Sequence, residues 1–476
     1  MLRTLIKKEI RAGLFSFRFT VIFALLLVVV FVTALVLTGD AVRKGEEFSS
    51  RRSAIEDYLK NYAHFNRLRN VVAPSSPPPI PAYGLFRGVT SDVNIEDFDN
   101  DPLPVMFPLI DLTFIVAILL SLAALVFSYD AVCGDKEDGT LKLALANSLA
   151  RWKILLSKVL GASATLAVPF LVSLGLGLLV IVFTPKLDWR GVNWATLALV
   201  LLGAAVYVVL FVILGVLIST RHHSSSSSIM TSLFVWVLFI LVIPNLSPFL
   251  ASLISPAPSR IQTYRAADRM TDVERDELGR KLQSERMEAL VKRYPVLAER
   301  LSEAEAKARV ARDPAFREAY EARVREVQAA WNEANRIQNA KRNALLGELE
   351  RKEQAQTRLS RNISLLSPLA DYTYLATDLT STGLRDQAHF TLIRRLWERS
   401  YWDYVQARVA ALQKTDPAVD WWNTAVDVSD MPRFQYKEED LASRLKGVLL
   451  PLGILMAMAV AAFGAAYVSF VKYDVR

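Results

Sequence analysis

The sequence predicts an all-α membrane protein of six transmembrane helices with a large helical domain outside the membrane, between the fifth and sixth. Three observations predict it. Hydrophobic residues make up 52% of the 476 positions and charged residues 22%, so apolar runs must alternate with charged blocks. Six apolar runs approach or exceed the roughly 20 residues that cross about 30 Å of hydrocarbon. Before the last of them, Thr271–Asn362 contains only Gly279 and Gly347 as glycines, which reads as long helix.

The spans fall at 19–37, 107–127, 162–183, 194–218, 229–254 and 447–470. The first is too long for a signal-peptide core and lacks a small-x-small cleavage site after it, so it reads as a retained anchor. Lysines and arginines near the span ends set the orientation. Arg3, Lys7, Lys8, Arg11 and Arg18 precede the first span. Lys136, Lys142, Arg151, Lys153 and Lys158 follow the second, Arg221 the fourth, and Lys472 and Arg476 close the chain. A six-span chain puts all of these on one face, which is then cytoplasmic. Both termini, including the 471–476 tail, lie there, and segments 38–106 and 255–446 lie outside.

Within residues 1–18, Leu2, Leu5, Ile6, Ile10 and Leu14 form one helical stripe, with Lys7, Lys8 and Arg11 largely off it. That pattern suits an amphipathic helix in contact with membrane lipid. The 38–106 segment opens as a charged helix, Glu46–Arg69, and continues as APSSPPPIPAYG from Ala73 to Gly84, a stiff extended linker. Asp111 is the main charge in the spans. It is a candidate for an intramembrane pathway, with capping of its own helix after Pro108 as the equal alternative. His222–His223 and Ser224–Ser228 read as a flexible polar turn.

In 255–446, Pro295 and Pro314 divide the chain into about three helices. Thr271 with Glu274 has the spacing of a capping box. The last helix, Ala315–Arg361, would extend on the order of 70 Å. Its stripe of Phe316, Tyr320, Val324, Val327, Trp331, Ala334 and Ile337 calls for a partner helix. Trp397, Tyr401, Trp402, Tyr404 and Trp421–Trp422 fill a small core, meet the membrane interface or line a binding surface.

Several chemistries are missing. The chain has no phosphate-binding G-x-x-x-x-G-K-[ST], no H-E-x-x-H and no G-x-S-x-G, so no catalytic residue, cofactor or metal site is expected in it. The formal charge of +8 reflects loops at the inner face rather than nucleic-acid binding. Cys133 is the single cysteine, so no internal disulfide can form.

The connector 128–161 carries the main motif. It reads GDKEDGTLKLALANSLARWKILLSKVLG from Gly134 to Gly161. Gly139 permits a sharp turn, and Thr140 with the acids before it can cap a following helix. Arg151 and Lys158 can pair with carboxylates or lipid phosphates. The stretch resembles that of the permease subunits of ABC-2 type ABC transporters, in which E-x-E-x-G-T-L is followed by a helix, P-x-x-R and a glycine-bounded end. Asp135, Glu137, Gly139, Thr140, Leu141, Arg151, Lys158 and Gly161 match; Ser148 and Ser157 stand where proline and glycine are common. The stretch Ile363–Phe390 resembles the end of the extracytoplasmic insertion known as DUF3526 in one bacterial branch of that family.

The resemblance implies an inner-membrane bacterial protein without enzymatic activity of its own. Two partner ATPase subunits would bind ATP and Mg, and the connector would sit in a groove of an ATPase subunit and convert its closure into span movement. A second copy, or a sister permease, would complete the membrane part, and the outside domain would gate an exit or dock a periplasmic or outer-membrane partner. The complex would export a cargo. The alternative is a complex that relays ATP-driven motion to the outside domain without transport through the bilayer.

Overall fold

The computed structural model describes residues 2–61, 68, 71, 73–74, 77, 84–88, 110–146, 150–187, 193–299, 301–415, 424 and 427–472. Most of the proline-rich linker, the start of the second expected span, Ser148, Trp421–Trp422 and Arg476 lie outside them. Every regular element among the described residues is helical. Helix α1 (Leu2–Leu14) leads into α2 (Phe17–Asn61), and α3 (Leu112–Val126) into the short α4 (Cys133–Glu137) and α5 (Thr140–Ala146). Then follow α6 (Arg151–Val182), α7 (Trp194–Arg221), α8 (Ser225–Ile254), α9 (Arg260–Arg269), α10 (Arg275–Arg293), α11 (Glu303–Arg312), α12 (Pro314–Ser364), α13 (Pro368–Leu379), α14 (Leu384–Thr415) and α15 (Leu441–Val471). Helices α2, α6, α7, α8 and α15 are long and apolar enough to cross a membrane, and α3 is a shorter apolar helix. The chain divides into two compact units, Met1–Pro244 with Leu365–Arg476, and Asn245–Ser364.

In the first unit α2 packs along α6, and α7 packs along α15 and the second half of α3. Leu26, Val30, Leu166, Leu174, Val200, Leu210 and Val216 share its core. The middle of α3, Ile115–Leu120, is wound as a π-helix, which takes carbonyls out of the regular ladder. Side chains close the gap. Tyr207 Oη and Ser121 Oγ both donate to the Ala117 carbonyl, at 2.7 and 2.6 Å. Trp236 Nε1 donates to Ser121 Oγ at 2.9 Å. Helix α8 has its own π-turn at Leu238–Val242, where Ser367 Oγ donates to the Phe239 carbonyl.

Helix α1 turns its stripe toward α6: Leu2, Leu5, Ile6, Ile10 and Leu14 are half-buried, while Lys7, Lys8 and Arg11 stay exposed. Helix α13 is the main departure from the sequence reading, which put it in the outside domain. It packs against α7, α15, the start of α3 and the π-turn of α8, and Tyr372, Leu375, Ala376 and Leu379 join the span core. At twelve residues it is too short for a hydropathy pattern to mark as part of the span bundle. Farther on, Tyr401 and Val405 of α14 form a small core with Leu68 and Met431, against which Trp397 and Tyr404 pack. Trp397 Nε1 donates to the Pro432 carbonyl at 2.8 Å, whereas Trp402 is exposed.

The second unit is built along α12, whose 51 residues extend about 77 Å at 1.5 Å per residue. Asp313 starts it by accepting from the Ala315 and Phe316 amides at 3.0 and 3.2 Å. Helices α9 and α10 pack along it. Trp331 Nε1 donates to Gln283 at 3.2 Å, and Arg286 pairs with Glu326 at 3.1 Å and with Glu333. Phe316 and Ala319 bury with Leu290 and Leu297, but Val324 of the expected stripe is exposed. Thr271 and Glu274 do not form the expected capping box. They lie in a π-turn, Met270–Glu274, that joins α9 to α10, and the Thr271 hydroxyl bonds back to the Asp268 carbonyl at 3.0 Å. The capping box falls instead at Ser302 and Glu305, opening α11.

Candidate functional site

The connector is two short helices on a folded-back end of α3, stitched by side chains to the span helices around it. Helix α3 stops at Val126, and residues 127–132 turn before α4 begins. A helix start leaves amides without intrahelical partners. Here Ser219 Oγ of α7, fully buried, accepts from both Val132 N and Cys133 N at 2.9 Å. Cys133 is buried as well, 3.3 Å from Ser219 Oγ and 3.2 Å from the Tyr129 carbonyl.

Lys136 and Glu137 grip the bend between α7 and α8 from opposite signs. Lys136 Nζ donates to the Thr220 and His222 carbonyls at 2.7 and 3.0 Å, at the negative end of α7. Glu137 accepts from the Ser225 amide at 3.0 Å and from its hydroxyl, at the positive start of α8. Burial lowers the Lys136 ammonium from its usual value. The Ser225 hydroxyl and then its amide hold the Glu137 carboxyl below the usual glutamate range. The serine run is therefore not a flexible turn: Ser224 caps α8 through the Ser227 amide, and Ser225–Ser228 are its first turn.

Three more ties complete the set. Lys158 of α6 is 7% exposed and sits between Asp135, at 2.6 Å, and Glu9 of α1, at 3.5 Å. Gly161 makes that approach of α1 possible, since a Cβ there would lie 2.4 Å from Glu9 Cβ. Arg18 of α2 pairs with Asp130 at 2.8 Å, donates to Tyr129 Oη at 2.8 Å and lies over that ring. Arg151, which opens α6, donates to the Phe470 and Val471 carbonyls at the end of α15, at 3.2 and 2.6 Å.

The residues expected at this site divide into two faces. Asp135, Arg151 and Lys158 point into the protein and bond there, and Leu141 is buried. Glu137, Asp138, Gly139, Thr140 and Lys142 are exposed, with Leu143 at 70% and Trp152 at 45%. Gly139 has φ +70°, a left-handed conformation that favours glycine, and it separates α4 from α5. Thr140 Oγ1 reaches back to Asp135 at 3.3 Å instead of capping forward. Helix α6 starts at Arg151, so the later part of the connector is continuous with a helix long and apolar enough to cross a membrane. Ser219, Glu9 and Asp130 were not singled out from sequence, where Lys136 and Arg18 entered only as orienting charges and Ser225 only within the serine run; partners 84 to 149 positions apart carry no local signature.

Asp111 stands apart from the connector. It caps α3 by accepting from the Phe114 amide at 2.8 Å, and its other oxygen accepts from the Arg87 and Gly88 amides at 3.2 and 3.4 Å. No group of three or more His, Cys, Asp or Glu able to hold a metal occurs among the described residues.

The family model described as ABC-2 family transporter protein matches residues 3–475. The chain belongs to the ABC-2 transporter family. It is a multi-pass membrane protein of the permease type, built of helices. Similar curated relatives are the "Probable ABC transporter permease protein NosY" of Stutzerimonas stutzeri, 30% identical over 131 residues, and that of Pseudomonas aeruginosa, 31% identical over 140 residues. Each match covers 28% of this chain and 48% of the relative, so the chain spans about half the length of the curated relatives it matches.

Proposed function

We propose that this ABC-2 family member is the membrane subunit of a bacterial inner-membrane exporter, driven by a separate ATPase that binds ATP and Mg. The exposed residues Asp138, Gly139, Thr140, Lys142 and Leu143 would receive the ATPase on the cytoplasmic side. One observation carries the reading: the other face of this short connector is bonded to α2, α6, α7 and α8 through Arg18, Lys158, Lys136 and Glu137. A push on the exposed residues therefore reaches four span helices without passing through a flexible loop. Two ATPases and a second permease, identical or a sister, would complete the complex. Apart from α13, the segment 255–446 would lie on the periplasmic side, to gate an exit or dock a partner in the periplasm or outer membrane.

The test is co-purification with the candidate ATPase and ATP hydrolysis in lipid nanodiscs. Leu143 is exposed, so a change there is expected to leave the fold intact. Leu143→Asp is expected to weaken assembly at least about tenfold, with the melting temperature unchanged. Glu137→Gln is expected to keep the complex and lose the stimulation of hydrolysis by cargo. An undiminished complex with Leu143→Asp would remove the connector as the docking surface.

A second reading has its own support. Helix α13 fills space among α3, α7 and α15 with side chains. That packing favours a complex that relays motion to the outside domain rather than one that opens a path through the spans. Tethering α13 to α15 by an engineered disulfide separates the two: transport through the bundle would stop, and a relay that keeps this core packed would continue.

A further inference from the structure

Asp371 is a carboxylic acid in the span core whose charge has no partner. It lies on α13, has 0% exposure, and neither carboxyl oxygen has a hydrogen-bond partner. Its neighbours on α13 are bound into the bundle. Tyr372 stacks on Tyr207 of α7 with ring centroids 5.0 Å apart, and Leu375 meets Gly203, where a Cβ would lie 2.5 Å from it. The packing therefore leaves α13 no room to carry Asp371 to water while it stays seated.

No basic group on the neighbouring elements bonds to Asp371, although Arg444 Nε and Arg87 Nη1 are themselves buried without hydrogen-bond partners. On α15, Arg444 pairs with Glu438 at 2.6 Å, and Lys446 is exposed. On α14, Arg385 pairs with Glu439 at 2.9 Å, Asp386 accepts from Tyr436 at 2.7 Å, and His389 bonds to the Lys437 carbonyl at 3.0 Å. Tyr207 of α7 gives its proton to Ala117, and Asp111, at the start of α3, is held by backbone amides. The π-turns of α3 and α8 that touch α13 carry no titratable residue. On α13 itself, Tyr372 Oη is without a partner, and Tyr374 and Asp378 have contacts of their own.

We propose that Asp371 is a proton-binding site inside the membrane part, protonated while α13 is seated and ionised only when α13 withdraws. An unpaired carboxylate in apolar surroundings costs several kcal/mol, and a proton relieves that cost without needing room. A metal ion or an ammonium group would need several further oxygen ligands in fixed geometry. The site is independent of the ATPase reading above, because it concerns the isolated chain. It makes seating of α13 a proton-linked equilibrium: the seated form holds a proton that a withdrawn or unfolded form releases above the ordinary carboxylate range, near about pH 4. Stability then falls as pH rises from there until Asp371 ionises.

The test uses the full chain in lipid nanodiscs, compared with Asp371→Asn and Asp371→Leu by infrared spectroscopy and thermal unfolding. Wild type is expected to show the carbonyl stretch of a buried protonated carboxyl at neutral pH, and both variants to lack that component. Wild type is expected to lose melting temperature between about pH 5 and about pH 9, and both variants to lose less over the same range while melting no lower than wild type at neutral pH. Two results would overturn the site: an infrared band unchanged by either substitution, or a pH profile of unfolding unchanged by both. Stabilisation by sodium or potassium at fixed pH that the variants abolish would assign the carboxylate to a metal ion and reject the proton.

Discussion

Lys158 shows how a buried charge can hold two segments together. Its ammonium lies between Asp135 and Glu9, both partly open to water. Breaking a buried pair leaves an unmatched charge, but water can reach these carboxylates, so Lys158→Ala should cost about 2 kcal/mol, below the range for a sealed pair. A double-mutant cycle with Asp135→Ala should return about 1 kcal/mol of coupling; zero coupling in thermal unfolding would mean the contact is incidental. Glu137 gives a pH prediction. Its folded carboxyl titrates below the usual range because of Ser225. Its contribution is therefore complete above the ordinary glutamate value, about 4.3, and is lost as pH falls through the depressed one. Glu137→Gln should flatten that acid limb in an unfolding series, and an unchanged limb would refute the cap. The sequence made Asp135, Glu137 and Lys158 visible as a motif. It did not make their bonds visible, because Asp135 on α4 reaches Lys158 on α6, beyond α5, and Glu137 reaches a serine 88 positions away.

Helix α4 depends on its neighbours more than on its own residues. Five residues make a helix too short to hold itself, and nucleation is costly. Ser219 supplies the acceptor for its first two amides. Ser219→Ala should therefore expose two buried donors, cost about 2 kcal/mol and speed hydrogen exchange at Val132 and Cys133; unchanged exchange there would show the amides have another acceptor. The long helices could be read from hydropathy, since a run of apolar residues has one physical meaning in a membrane. The breaks at Pro295 and Pro314 were legible for a similar reason, because proline stops a ladder locally. Thr271–Glu274 failed because a capping pattern also fits inside a helix whose amides are already taken. Helix α13 was missed because Ser367, Asp371 and Thr377 make it look like a surface helix, and only packing by Tyr207 and Gly203 shows that it is not.

For the whole molecule, alternating apolar and charged blocks led directly to a helical membrane protein, and the match to the ABC-2 family model over 3–475 accords with that. The arrangement inside the bundle was not legible, since it depends on which apolar faces meet. Helix α2 has a mechanical consequence. It is one continuous helix from Phe17 to Asn61, about 67 Å long at 1.5 Å per residue, apolar at first and charged beyond Asp40. Arg18 fixes its base to the connector through Asp130. A stiff rod works as a lever arm, here one whose motion α6 and the Lys186–Glu46 pair share: a tilt of about 10° at the base swings the tip by about 12 Å, given that length. The chain thus has built-in mechanical gain, turning a displacement of a few ångströms beside the connector into a much larger sweep at Asn61.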